Sequence, residues 1–255
     1  PFTEVSAGDP GTGAQKWRGD PKIPTEGGHP ANAFNCRGVA TWIFTGANFR
    51  SIVCAERVLA ATNDGRIFAL NLNTGERCTD FGTNGEIKID PGVELKWPGE
   101  FQITSAPVVI GDTVVVGSAI GDNARVEAPH GTVRAFDVRT GAAKWSWDPV
   151  PRDAKDPNTA TWGNGWQKVG HANVWAPMSV DSKRGLIFLP TSSPSPDFFG
   201  GLRPGDNKHA SSVVALKAAT GEVAWAYQIV HHNVWDYDTP AQPTLATLDL
   251  DGGKR

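Results

Sequence analysis

Three stretches, Gly65-Arg-Ile-Phe-Ala-Leu-Asn-Leu-Asn-Thr-Gly75, Gly131-Thr-Val-Arg-Ala-Phe-Asp-Val-Arg-Thr-Gly141 and Ser211-Ser-Val-Val-Ala-Leu-Lys-Ala-Ala-Thr-Gly221, can be laid over one another. Each reads as an alternating strand, a polar turn closed by Thr-Gly, and a second strand. The glycine takes the turn position that needs positive φ. In the second and third copies a tryptophan, Trp145 or Trp225, stands four residues past the glycine, where the first copy has Thr79. One such hairpin cannot bury its own apolar face, so the copies must stack, with the tryptophan plugging the gap to a neighbour. Further strand signals at residues 57–61, 113–117 and 185–189 bring each repeat to about four strands, the make-up of a propeller blade. The expected class is therefore all-β, a partial β-propeller with insertions at 122–130, 149–174 and 191–210. Insertions on one face of a repeat array commonly carry binding function.

Composition agrees. Ten Trp, 29 Gly and 19 Pro against one Met suit short strands, tight turns and repeated aromatic plugs. The chain has 255 residues, is 39% hydrophobic and 20% charged, and can bury a substantial core. A net charge of −3 and the lack of any basic run exclude an electrostatic case for nucleic acid. The longest apolar runs, such as Pro107-Val108-Val109-Ile110 and Val114-Val115-Val116, are strand-sized and far too short to span a bilayer as a helix. Cys36, Cys54 and Cys78 show no CxxC spacing, which argues against a thiolate zinc site. The preferred disulfide is Cys36–Cys54, which would imply an oxidising compartment; three free thiols are the alternative. The start at Pro1, and the alternating 244–250 run that meets Gly252-Gly253 with no partner strand after it, read as a domain cut at both ends.

Residues 231–243, His-His-Asn-Val-Trp-Asp-Tyr-Asp-Thr-Pro-Ala-Gln-Pro, set Asp236 and Asp238 two positions apart. In an extended chain both carboxylates face the same way, toward one pocket or one cation, and like charges held close raise each other's pKa. Acidic residues beside prolines are also ordinary solvated loop chemistry. In the same extended reading His231 and His232 face opposite sides, so at most one reaches a site; neither they nor His171 and His209 are expected to ligate metal.

Taken together, the blocks from about Phe34 to Pro243 resemble the pyrroloquinoline-quinone (PQQ) dependent dehydrogenases, whose eight-bladed propellers carry docking repeats of the form A-x-D-x-x-T-G-x-x-x-W. The likeness is greatest to the membrane-associated, glucose-dehydrogenase-like branch. It implies that about three to four blades of an eight-bladed parent lie within residues 1–255. Asn35-Cys-Arg-Gly-Val39 is similar to the block whose arginine pairs with a cofactor carboxylate, which points to Arg37. Ile103-Thr-Ser-Ala-Pro107 resembles the block with a quinone-bonding threonine, here Thr104, and Ser118 offers a second hydroxyl. Asn173-Val-Trp-Ala-Pro177 is similar to the block whose tryptophan floors the flat quinone, here Trp175.

For the metal, Gly121-Asp-Asn123 resembles the segment supplying an Asp-Asn pair, Asp122 and Asn123, with Glu127 an alternative taken from the alcohol-oxidising relatives. Where those relatives place a metal-binding asparagine, this chain has Thr191-Ser-Ser-Pro-Ser-Pro-Asp197, so Ser193 or Asp197 stands nearest. Trp235-Asp-Tyr-Asp238 resembles the catalytic block, which makes Asp236 the base and metal neighbour and Asp238 a further metal candidate. The resemblance implies oxidation of a sugar, polyol or alcohol hydroxyl with PQQ and Ca²⁺ or Mg²⁺, and electrons passed to a quinone acceptor. It also implies a periplasmic location, with membrane contact through parts beyond this chain. Ala33 stands where the glucose-type pattern tends to have histidine, and the family's Lys or Arg over the quinone falls past residue 255. A non-catalytic docking-repeat scaffold would share the Thr-Gly turns without needing Arg37, Asp122, Trp175 and Asp236 together.

Overall fold

The computed structural model describes residues 4–24, 30–250 and 253–254. Every regular element apart from short 3₁₀ turns is a strand. An outer pair, β1 (Val5–Gly8) and β2 (Gln15–Gly19), comes first. The first complete blade is β3 (Ala40–Ile43), β4 (Glu56–Ala61), β5 (Arg66–Asn71) and β6 (Glu86–Lys88), an antiparallel meander in chain order. After β7 (Phe101–Gln102), the second blade joins β8 (Val108–Ile110), β9 (Thr113–Val116), β11 (Val133–Asp137) and β12 (Ala143–Trp147); β10 (Ala119–Ile120) leaves it to pair with β7. The third is β13 (Ser179–Asp181), β14 (Leu186–Pro190), β15 (Ser212–Lys217) and β16 (Val223–Gln228). Finally β17 (Asp249–Leu250) pairs with β18 (Gly253–Lys254), so the alternating run does meet a short partner, although the turn residue Gly252 lies outside the described residues.

Stacking follows from side-chain alternation. On β4 and β5, Val58, Ala60, Phe68 and Leu70 point to the core shared with β1–β2, while Leu59, Ala61, Ile67 and Ala69 point to the core shared with the second blade. On β9, Val114 and Val116 face the first blade and Val115 faces the third. Each central strand is buried on both faces, which is why both parities of these segments are apolar. The innermost strands β3, β8 and β13 contact one another in turn, and residues 242–245 join them around a space of about 580 Å³.

The structure also shows a fourth docking repeat. Ala7, Asp9, Thr12, Gly13 and Trp17 fit the same motif, with Asp9 Oδ1 accepting the N–H of Gly11 and Thr12 in the turn. Trp17 lies over Gly75 of the first blade and donates its indole N–H to the Leu72 carbonyl at 2.9 Å. Trp145 repeats this on the third blade, over Gly221, with Nε1 2.8 Å from the Ala218 carbonyl. Between the first and second blades, where Thr79 replaces the tryptophan, a fully buried Arg57 donates to the Val138 carbonyl instead, at 3.2 Å.

The expected Cys36–Cys54 disulfide is corrected. Cys54, just before β4, bonds Cys78, whose N–H donates to Ala69 of the adjacent β5, with the Cα atoms 5.7 Å apart. That spacing suits a disulfide, whereas Cys36 is an exposed free thiol on the loop before β3. No helix among the described residues is long and apolar enough to cross a membrane.

Candidate active site

At one end of the blades the starts of the innermost strands and the ends of the second strands come together. A cavity of about 220 Å³ lies there. Arg37 from the loop before β3, Thr104 from between β7 and β8, and Trp175 from the segment before β13 line it, together with Asp122 after β10 and Asp238 after β16. The Arg37 N–H donates to the Thr104 carbonyl at 3.0 Å, which ties two of these segments directly. Its guanidinium sits 5.0 Å over the Trp175 ring, a cation–π contact, and burial lowers its pKa, with no salt bridge to a carboxylate among the described residues.

Asp122 and Asp238 make part of the lining acidic, and Asp197 and Asp236 add negative charge close by. Asp236 is held up to about 6 by partial burial first and then by the negative Asp238, Asp197 and Asp122. Burial likewise raises Asp122, with Asp197 and Asp238 adding to it against the pull of His171. Burial raises Asp238 too, against two hydrogen bonds it accepts, from Ser193 N–H at 2.8 Å and from Trp175 Nε1–H at 2.6 Å. The buried Asp197 accepts the Asn123 N–H at 3.3 Å and lies 3.4 Å from His171 Nδ1. Among the described residues, no three of these acidic or histidine side chains bring ligand atoms within 4.8 Å of one another, so the carboxylates form an open arc.

Several expectations take a different shape here. The 231–243 segment is not extended: Asp236 adopts φ +56, and the Asp238 N–H turns back to the Asp236 carbonyl at 3.0 Å. Asp236 and Asp238 therefore meet through a turn, with Asp238 on the cavity wall and Asp236 beside it. His232 also lies in a turn, φ +45, with Nδ1 on the Gly205 carbonyl, and the exposed His231 reaches toward Asp206. Glu127 is exposed and does not line the cavity, whereas Ser193 reaches the site through its backbone N–H. Ser118 is fully buried and does not line the cavity; its carbonyl accepts from Asn173 Nδ2, on a lining residue, at 2.7 Å.

Asn32, Asn35 and Asn173 also line the cavity, and Asn233 builds the acidic loop; none of the four is singled out by the sequence motifs. Asn233 Oδ1 accepts from Trp235 and Tyr237 N–H, and its Nδ2 donates to Ser193 Oγ, Ser211 Oγ and the Tyr237 carbonyl. An asparagine three residues ahead of Asp236 is the signal present in the sequence, because Asx side chains shape turns. Left-handed backbone at Asn123, His171, Ala172, Ser211 and Asp236 gathers around the same place.

This geometry can be set beside known proteins. The family model described as "PQQ: Glucose/ethanol/alcohol dehydrogenase, beta-propeller domain" matches residues 1–255. The chain belongs to this family. It is 36% identical over 263 residues to quinoprotein glucose dehydrogenase A of Acinetobacter calcoaceticus, covering 98% of this chain and 32% of that protein. To the quinate/shikimate dehydrogenase (quinone) of Acinetobacter baylyi it is 38% identical over 271 residues, covering 99% and 32%. The crystal structure of the quinohemoprotein alcohol dehydrogenase from Comamonas testosteroni superposes with a TM-score of 0.81 at 28% identity, over 100% of this chain and 36% of that one. The chain thus spans about a third of the length of the relatives it matches. The all-β propeller reading and the PQQ dehydrogenase resemblance both stand.

Proposed function

We propose that this chain forms part of a quinoprotein dehydrogenase that oxidises a sugar, polyol or alcohol hydroxyl, using PQQ and Ca²⁺ or Mg²⁺. The observation that carries the reading is one cavity lined by Arg37, which makes no salt bridge among the described residues, by the indole of Trp175 and by the carboxylates of Asp122 and Asp238, with Asp236 beside them. The residues fit both groups. Thr104 Oγ1, on a residue that lines the cavity, is buried without a hydrogen-bond partner among the described residues, which calls for a polar ligand. A flat polyacid suits Trp175 as a stacking floor and Arg37 as a carboxylate partner. For the cation, Asp122, Asn123, Asp197 and Asp236 offer hard oxygens whose raised or enclosed carboxylates a divalent cation would relieve, and Asp238 closes that end.

When bound, PQQ supplies the hydride-accepting carbonyl and the cation polarises it. Arg37 and Trp175 orient and hold; Thr104 donates a hydroxyl hydrogen bond. Asp236 takes the substrate hydroxyl proton on a carboxylate oxygen that accepts no hydrogen bond among the described residues. A quinone-type electron acceptor and a periplasmic location accompany this reading, supported by the Cys54–Cys78 disulfide and by the quinone in the name of the Acinetobacter baylyi relative.

The test is reconstitution of the intact protein with PQQ and Ca²⁺ or Mg²⁺, followed by a dye-linked assay over sugars, polyols and alcohols. Asp236→Asn should keep PQQ binding and lose turnover by about 10²–10⁴-fold. Near-normal turnover of that variant removes Asp236 from the mechanism, and failure of the native protein to bind PQQ removes the reading.

A further inference from the structure

We propose that Asp238 is a positioning residue for the cofactor floor, its carboxylate locking the plane of Trp175, rather than a ligand of the cation. The inference rests on the cofactor reading above and deepens it. Asp238 uses one oxygen for each of two N–H donors: Oδ2 accepts Trp175 Nε1–H at 2.6 Å, and Oδ1 accepts Ser193 N–H at 2.8 Å. Charge-assisted bonds of this length are the strong ones, and here they are largely shielded from water. By contrast the carboxylates of Asp122 and Asp236 accept no hydrogen bond among the described residues, which leaves their side-chain oxygens free for other partners.

The geometry matters because Trp175 sits on an irregular segment and is only partly buried. An indole in that position keeps two rotatable bonds, and a fixed acceptor on its one N–H removes the swing. The same carboxylate continues into the acidic loop: Asp238 N–H bonds the Asp236 carbonyl, and Asn233 pins the turn from inside. Through Ser193 it also reaches the 191–210 insertion that carries Asp197. One side chain therefore sets the ring that would floor a flat cofactor and the loop that would bear the base at a common spacing.

The experiment uses the intact protein. The Trp175 indole N–H resonance is assigned in ¹⁵N-tryptophan-labelled protein by its loss in Trp175→Phe. Asp238→Asn should shift that resonance and speed its hydrogen exchange without PQQ present. PQQ affinity, read by calorimetry, should fall about tenfold in Asp238→Asn. In a Trp175→Phe background the same substitution should change it less than about twofold, since the two act as one unit. Ca²⁺ affinity measured without PQQ should change by less than about threefold. An unmoved indole resonance, or a Ca²⁺ affinity loss beyond about tenfold that persists in the Trp175→Phe background, overturns the proposal. Should Asp238→Asn not fold, Asp238→Glu, which keeps the charge and displaces the acceptor, takes its place with the same readouts. If the native protein binds no PQQ, the cofactor reading falls, and the indole resonance still decides on its own whether Asp238 holds Trp175.

Discussion

The junction between the second and third blades and the junction between the first and second solve one problem with different chemistry. In the former, Trp145 covers Gly221 and its N–H meets the Ala218 carbonyl, three residues before the turn glycine. In the latter, the equivalent carbonyl of Val138 is met by Arg57, which also donates to Arg139, Cys54 and Val53 carbonyls and to Asp80, while the Gly82 backbone covers Gly141. What the stack requires is a donor for that carbonyl and a close-fitting cover for the glycine; a tryptophan is one way to provide both. Burying a guanidinium is costly, and the cost is offset because every bond Arg57 makes ends on a carbonyl or carboxylate. The Cys54–Cys78 bridge holds the very loop whose carbonyls grip Arg57.

The sharpest way to break this comparison is Arg57→Ala. It leaves four carbonyls and Asp80 without their donor, and chemical denaturation should show a loss of about 3–5 kcal/mol. Arg57→Lys should recover little, since an ammonium cannot span the fork. Next comes Cys54→Ser with Cys78→Ser, which opens a crosslink between positions 24 residues apart; thermal melting should report a loss of about 2–4 kcal/mol. Trp145→Phe keeps a ring over Gly221 and deletes one hydrogen bond, so it should cost about 1 kcal/mol. If it costs as much as Arg57→Ala, the two junctions are not equivalent solutions.

The smallest effect has the opposite sign and lies at the cavity. The Asp236 carboxyl is raised in the fold to about 6 from its ordinary 3.8, so the folded state binds the extra proton between these pH values. Its contribution is fully present below pH 3.8 and is lost as pH rises through about 6. In cation-free protein, Asp236→Asn should therefore stabilise by on the order of 1 kcal/mol above pH 6, after allowing for solvent screening, and by nothing at pH 3.5. A pH series of melting temperatures checks this, and added Ca²⁺ should abolish the gain. The junction variants should show no such pH dependence, which separates residues that hold the stack from one that is strained within it.

The blades were legible because a turn glycine, an alternating strand and a docking ring recur at fixed offsets. The copy ending in Trp17 is equally legible in Ala7, Asp9, Thr12 and Gly13. Arg57 was not legible: an arginine at the head of an apolar strand reads as solvent-facing, and only the stack reveals the carbonyls around it. Nor was the disulfide, because Cys54 and Cys78 become neighbours through the β4–β5 ladder rather than through spacing. At the cavity the residue types were readable but the backbone was not. A left-handed Asp236 cannot be inferred from Trp-Asp-Tyr-Asp, nor can the bond from the Trp175 indole to Asp238.

Cys36 gives the cavity a reporter of its own. With Cys54 and Cys78 joined, it is the single free thiol of the chain, exposed and next in sequence to Arg37 on the cavity wall. A maleimide placed there would mark the mouth of the pocket without any engineered cysteine. The rate at which that thiol is alkylated then becomes a footprint of occupancy, slowed by whatever settles against Arg37 and indifferent to what binds elsewhere on the blades.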